Sequence, residues 1–203
     1  MKIKIKMNKI LTTTLLLLVV LTTGCSINHP VAKDYDQHLV KYGSETNLPK
    51  SDLEAKYSIA TKTENHNYQF RAATVGYAHV WIVEFGKILD KTIKSDYVQS
   101  SFGKLEHSVS TEVVTGNQVI FELEKFEYKH YRAYTTMNIK VLDGDNEVLN
   151  KTYSSEGQSQ GGQMWGAGPF GMKNATLKST KSSIDKILEQ FINDLNVSIV
   201  TSS

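Results

Sequence analysis

Gly166-Ala167-Gly168-Pro169-Phe170-Gly171 spells GxGxxG ahead of a helical pattern. At that spacing, backbone amides cradle a dinucleotide pyrophosphate at a helix N-terminus. The chemistry requires a strand running directly into the first glycine and an acidic residue closing a second parallel strand. Here a polar, glycine-rich run from Gly157 precedes the motif, and Glu189, at the right distance, falls inside an amphipathic helical pattern. A P-loop fails as well, because Met172-Lys173-Asn174 stands where Lys-Ser/Thr is needed. No nucleotide and no other cofactor is expected. His29, His38, His66, His79, His107 and His130 include no i,i+4 pair and no carboxylate at ligand spacing on one element, so no metal site is expected either. Glu122, Glu124 and Glu127 beside Lys125 and Lys129 are the right types for acid–base work, but within a strand-rich segment they read as the solvated face of a sheet. No GxSxG nucleophile elbow occurs. No catalytic residue is assigned, and the chain does not read as an enzyme.

Assignable chemistry sits at Cys25, the one cysteine, which ends the run Leu21-Thr22-Thr23-Gly24-Cys25. Lys2, Lys4, Lys6 and Lys9 precede an apolar stretch from Ile10 to Leu21. That stretch has the length of a signal-peptide core and falls short of the ~20 apolar residues that span a bilayer. The pattern resembles a bacterial lipoprotein signal, with Thr22 at a position where that pattern prefers Leu. The resemblance implies that the Cys25 thiol is alkylated by a diacylglycerol, that the chain is cut before it, and that the new amino group is acylated, for instance by palmitate. A buried methylene contributes about 0.8 kcal/mol and one chain holds only marginally, so two or three chains attach the protein permanently. Ser26, rather than Asp, after the anchor fits delivery to the outer membrane, with the domain facing the periplasm.

Removing residues 1–24 leaves 179 residues, one ordinary domain. It also removes four of the 23 basic residues while all 21 acidic ones stay, which makes the mature chain slightly acidic. Nucleic acid is therefore not an expected partner. With its thiol consumed by lipid, the exported chain has no disulfide to form, and core burial must supply its stability.

Residues 25–55 are polar, with Pro30, Gly43 and Pro49 and no sustained periodicity, and read as a lipidated N-terminus and flexible tether. Ser51-Asp52-Leu53-Glu54 fits a capping box, and Tyr42, Leu48 and Leu53 are candidates to dock on the domain. From residue 56 the domain proper is expected. Tyr57–Thr61 and Tyr68–Arg71 alternate like short strands. Thr74 reads as an N-cap for a helix over 75–94, on the spacing of Val75, Ala78, Trp81, Ile82, Phe85, Ile88, Leu89 and Ile93. Val98 to Ser155 is strand-like throughout. Inward positions are expected at Val119, Phe121 and Leu123 and at Ala133, Thr135, Met137, Ile139 and Val141, and a hairpin turn at Asp143–Asn146. A second helix over about 174–195 presents Leu177, Ile184, Ile187, Leu188, Phe191, Ile192 and Leu195, with its lysines and acids opposite. The fold class is α+β: an antiparallel sheet with two amphipathic helices on one face, in the order strand, helix, strands, helix.

In the loop between the last strand and that helix, Gln163, Met164, Trp165 and Phe170 are candidate partner contacts, since Trp and Met are favoured at binding surfaces. The bland role is that Trp165 and Phe170 fold back over one end of the sheet. The sequence from Asn146, NEVLNKTYSSEG, a polar loop, then KNATLKSTKSSIDKILEQFINDLN, resembles the YajG-like family of small envelope lipoproteins in its layout, from which the long Gly157–Gly171 insert departs. The resemblance implies an α+β lipoprotein without an established activity. The expected function is a lipid-anchored, non-catalytic binding or assembly accessory module acting through an envelope protein partner. A carrier of lipid or another small apolar ligand is the alternative.

Overall fold

The computed structural model describes residues 26–43, 46–108, 116–162 and 167–202. Cys25 lies outside the described residues, as do Gln163, Met164 and Trp165.

In β7 (Arg132–Asp143), Ala133, Thr135, Met137, Ile139 and Val141 are buried and the residues between them are partly exposed. This period of two marks a strand with one covered face. β7 pairs antiparallel with β6 (Asn117–Lys129) on one side and with β8 (Asn146–Glu156) on the other. The expected reversal at Asp143–Asn146 is present, with Gly144 at φ +57°. Between β6 and β7, His130 and Tyr131 take φ +52° and +58°, the two positive angles of a type I′ hairpin, which Asn-Gly adopts more readily.

β2 (Glu54–Ile59) lies parallel both to β6 and to β5 (Lys104–His107), giving the order β5-β2-β6-β7-β8. A second sheet holds β1 (Ile27–Pro30), β4 (His79–Glu84) and β3 (Asn67–Phe70), with β4 in the middle. The main sheet is therefore antiparallel only over β6, β7 and β8.

The long C-terminal helix runs over Gly168–Ser202, beyond both of its expected ends. It lies on the same face of the main sheet as a shorter helix over Phe85–Ile93. The Phe85 ring lies 5.2 Å from Phe126, and Phe191 lies 6.2 Å from Phe121. Tyr57, Trp81, Phe85, Ile88, Leu89, Phe121, Met137 and Phe191 are fully buried between these layers. Each such side chain stabilises the fold by roughly 1.5–3 kcal/mol. The opposite face of β6–β8 is a polar ladder: Thr136 to Ser154 at 3.0 Å, Asn138 to Asn150 at 3.0 Å, and Thr152 to Glu124 at 3.0 Å, all exposed. Glu127 bridges Lys125 and Lys129, both at the sheet's surface.

Three expectations are corrected. The helix expected over 75–94 is divided: Ala73–Val75 is a single 3-10 turn that includes Thr74, His79–Glu84 is β4, and only Phe85–Ile93 is helical. Gly76 at φ +92° breaks any continuous helix there, and the aromatic and β-branched run His79–Val83 pairs as a strand. Residues 26–43 and 46–55 are not a tether. They form β1, a 3-10 turn (Ala32–Asp34) and helix α1 (Tyr35–Tyr42) before running extended into β2. Leu48 and Leu53 are buried, as docking residues should be, but no helix starts at Ser51; its hydroxyl accepts from Leu53 N–H in an extended segment. Lastly, the stretch from Val98 is not all strand, because Val98 lies in a short helix (Asp96–Gln99) whose side chain fills the core. With a four-residue helix α2 (Thr61–Glu64), the helices in chain order are α1, α2, α3 (Phe85–Ile93), α4 (Asp96–Gln99) and α5 (Gly168–Ser202).

Candidate functional site

The densest set of titratable groups sits where α1 crosses α5. Lys181 and Asp185 lie one turn apart on α5 and are only 4% and 8% exposed. They were expected on the polar side of that helix. They are buried because α1 and residues 46–48, the supposed tether, pack over them. Lys181 Nζ donates to Asp185 Oδ2 at 2.7 Å and to Thr46 Oγ1 at 2.8 Å. The Thr46 hydroxyl in turn donates to Asp185 Oδ2 at 2.8 Å, and the Tyr97 hydroxyl donates to Oδ1 at 2.7 Å. The Lys181 ammonium also lies 4.5 Å from the centre of the Tyr97 ring. Both carboxylate oxygens are thus engaged, by Lys181 one turn away and by donors from two segments distant in the chain.

Burial, reinforced by the Asp185 charge, pushes the Tyr97 hydroxyl far above its ordinary range and keeps it a donor. Tyr35, wholly buried, is pushed up in the same way while bonding Thr92 at 2.7 Å. His38 on α1 stacks between Tyr35 and Tyr42. Burial first, then the charges of Lys181, Lys178 and Lys41, lower its pKa to about 4, so the ring is neutral at pH 7. Its Nε2 makes no hydrogen bond. A cavity of about 290 Å³ opens beside these groups, lined by His38, Tyr42, Thr46, Lys178 and Lys181 among others. The Lys181 ammonium and the Asp185 carboxylate are paired with each other and with the Thr46 and Tyr97 hydroxyls. What this cluster does is clamp the 46–48 segment and α4, through Thr46 and Tyr97, to α5 beneath α1. The available signal was positional: Lys181 lies four residues after Leu177 and three before Ile184, on the apolar stripe.

β8 ends at Glu156, so residues 157–167 separate the last strand from Gly168, the first residue of α5. Gly157 is needed for packing, since a Cβ there would lie 1.9 Å from the Ser179 carbonyl oxygen on α5. Of the candidate contact residues, Phe170 stands on the first turn of α5 and is 76% exposed.

At the N-terminal end, β1 begins two residues after Cys25. His29 Nε2 and His79 Nδ1 are 2.7 Å apart, so one ring donates to the other, and His29 lies over Trp81 with ring centres 5.5 Å apart. Burial, then His79 and Lys173, lower the His29 pKa. Among the described residues no group of three or more His, Cys, Asp or Glu is placed to hold a metal ion. Nor is any described helix long and apolar enough to cross a membrane.

No protein-family model matches this sequence, that of the YajG-like lipoproteins included, and no curated protein matches it. Among solved structures the chain is similar to protein XCC0632 from Xanthomonas campestris, assigned to the family DUF330, with TM-score 0.49 at 10% identity, covering 76% of this chain and 90% of that one. It is similar also to the hypothetical protein CT253 from Chlamydia trachomatis, with TM-score 0.31 at 9% identity, covering 73% and 95% respectively. At these scores no property of either protein transfers to this chain.

Proposed function

We propose that the chain is a lipid-anchored lipoprotein of the cell envelope, held by acylated Cys25 in the outer membrane and facing the periplasm, where it serves as a non-catalytic accessory module that binds an envelope protein. The observation that carries this reading is the junction at residues 21–27. A lipoprotein-type signal ends at Cys25, and β1 opens at Ile27, so cleavage before Cys25 would leave that strand and everything after it intact.

Two features support binding over carriage. The space between α5 and the sheet is filled by Phe121, Met137, Ile139, Tyr153, Ile184 and Phe191, all buried, which is a packed core. β8 is an edge strand of eleven residues with no proline. A partner strand can add to such an edge through main-chain hydrogen bonds, while Glu147, Lys151 and Glu156 discourage indiscriminate pairing. The test combines labelled palmitate, fed to cells making the wild-type chain or Cys25→Ala, with photo-crosslinking from Thr152 on β8. The expected result is label on the wild type alone and one recurrent envelope protein crosslinked only when the anchor is present. Equal labelling of both chains would overturn the anchor, and crosslinked lipid in place of protein would favour the carrier.

A further inference from the structure

Five large apolar side chains are well exposed among the described residues, and three of them, Ile27 (50%), Tyr77 (68%) and Phe170 (76%), belong to segments that meet beside the anchor. Ile27 opens β1, and its N–H bonds the Ala78 carbonyl at 2.8 Å, which fixes it next to Tyr77. Arg71 donates to the Tyr77 carbonyl and holds that loop. The start of α5 reaches the same end of the molecule. Met172, two residues after Phe170, lines a depression of about 400 Å³ with Ala72, Ala73 and Thr74, and Lys173 pairs with Asp34, just past β1.

Chain length then decides what can cover this end. Cys25 is two residues from Ile27, and an extended chain spans at most about 3.6 Å per residue, so the anchor lies within about 7 Å of Ile27. A domain on a thirty-residue coil could turn any face to the membrane; one on two residues cannot. We propose that this end is a bilayer-docking face, in which Ile27, Tyr77 and Phe170 enter the headgroup–acyl boundary of the membrane that holds the Cys25 acyl chains. Tyrosine, with an apolar ring and a polar tip, suits that depth. Arg71 and Lys33, both exposed, stand near lipid phosphates in this pose. The docking rests on the proposed acylation of Cys25 and adds to it a fixed orientation.

The test uses the acylated protein, purified from membranes and reconstituted in vesicles of phosphatidylethanolamine and phosphatidylglycerol. Acylation of Cys25 leaves a single thiol for a polarity-sensitive fluorophore at Tyr77→Cys, at Phe170→Cys, or at Thr152→Cys on the polar sheet face. The expected result is blue-shifted emission at positions 77 and 170 that lipids nitroxide-labelled near the headgroup quench, with neither effect at 152. If acylation is complete by mass spectrometry but 77 and 170 report water as 152 does, docking is overturned and the anchor stands. A blue shift without quenching by lipid means that protein covers this face, which also overturns docking. If mass spectrometry finds no acyl chains, anchor and docking fall together.

Discussion

Replacing Lys181 with Met removes one half of a buried ion pair and leaves the Asp185 carboxylate, 8% exposed, with only the Tyr97 and Thr46 hydroxyls for donors. Breaking such a pair from one side costs about 3–5 kcal/mol, because the remaining charge is buried without compensation. The two remaining hydrogen bonds hold the estimate at the lower end, about 3 kcal/mol. For a chain of this size that lowers Tm by about 6–12 °C. Asp185→Leu leaves the ammonium with Thr46 Oγ1 and the Tyr97 ring alone and takes the acceptor from both hydroxyl protons, at about 4 kcal/mol. With both changes no charge is left buried, and the double variant is expected to be no less stable than the worse single one. That corresponds to an interaction energy of about 3 kcal/mol or more in a double-mutant cycle. The measurement is urea unfolding of the four chains, each carrying Cys25→Ala to keep it in solution. Singles that simply add, with an interaction below about 0.5 kcal/mol, would refute the argument that pairing inside the clamp holds the 46–48 segment and α4 to α5.

His38 supplies a pH test of the same region. Its pKa is lowered to about 4 in the folded chain against an ordinary 6.5, so the unfolded chain binds the extra proton first as the pH falls. Stability is therefore unaffected by His38 above pH 6.5 and is lost between 6.5 and about 4, by at most about 3 kcal/mol and nearer about 2 once solvent at the ring's open side is allowed for. Thermal melts over that window should show the loss, and His38→Phe should flatten it. Gly157→Ala drives a methyl into the Ser179 carbonyl and should cost about 3 kcal/mol, read as a lower urea midpoint at unchanged slope. His130→Asn relieves a positive φ at an exposed turn position and should raise stability by about 0.5 kcal/mol, visible as a small rise in Tm.

What could be read from the chain divides along local and distant causes. The Asp143–Asn146 reversal, the inward series from Ala133 to Val141 and the apolar stripe of α5 each depend on a repeat within a few residues, and they stand where that repeat puts them. β1 has no such signal. Ile27-Asn28-His29-Pro30 becomes a strand only because β4, some fifty residues later, offers a parallel edge. α1 was hidden for a related reason, since Tyr35 and His38 are buried against side chains of α3 and α5 that no local pattern anticipates. The expected helix over 75–94 shows the reverse error, in which spacings of three and four outweighed Gly76, whose positive φ breaks the helix. The clamp was within reach, because a lysine flanked on an apolar stripe by Leu177 and Ile184 has to be buried with a partner, and Asp185 is one turn away.

The lost tether changes what a partner must do. If the end bearing Ile27, Tyr77 and the start of α5 sits on the bilayer, the His130-Tyr131 turn, whose residues line the same depression as Ala72–Thr74, sits close to it as well. β7 leaves that turn and runs over Arg132–Asp143, which at about 3.3 Å per residue carries the Gly144 turn roughly 40 Å away along the strand. β8 then returns along the outer edge of the sheet, from Asn146 at the far end to Glu156 near the membrane. In the proposed pose the β8 edge would lead away from the bilayer from its Glu156 end and stay reachable by a partner, while the apolar end would not. A partner strand that adds to β8 would then approach from the side with its chain leading away from the bilayer, as an element of a structure crossing the space between membranes would. Docking and edge pairing thus require each other's geometry: freeing the apolar end to rotate would leave the β8 edge intact and remove the orientation in which such a partner meets it.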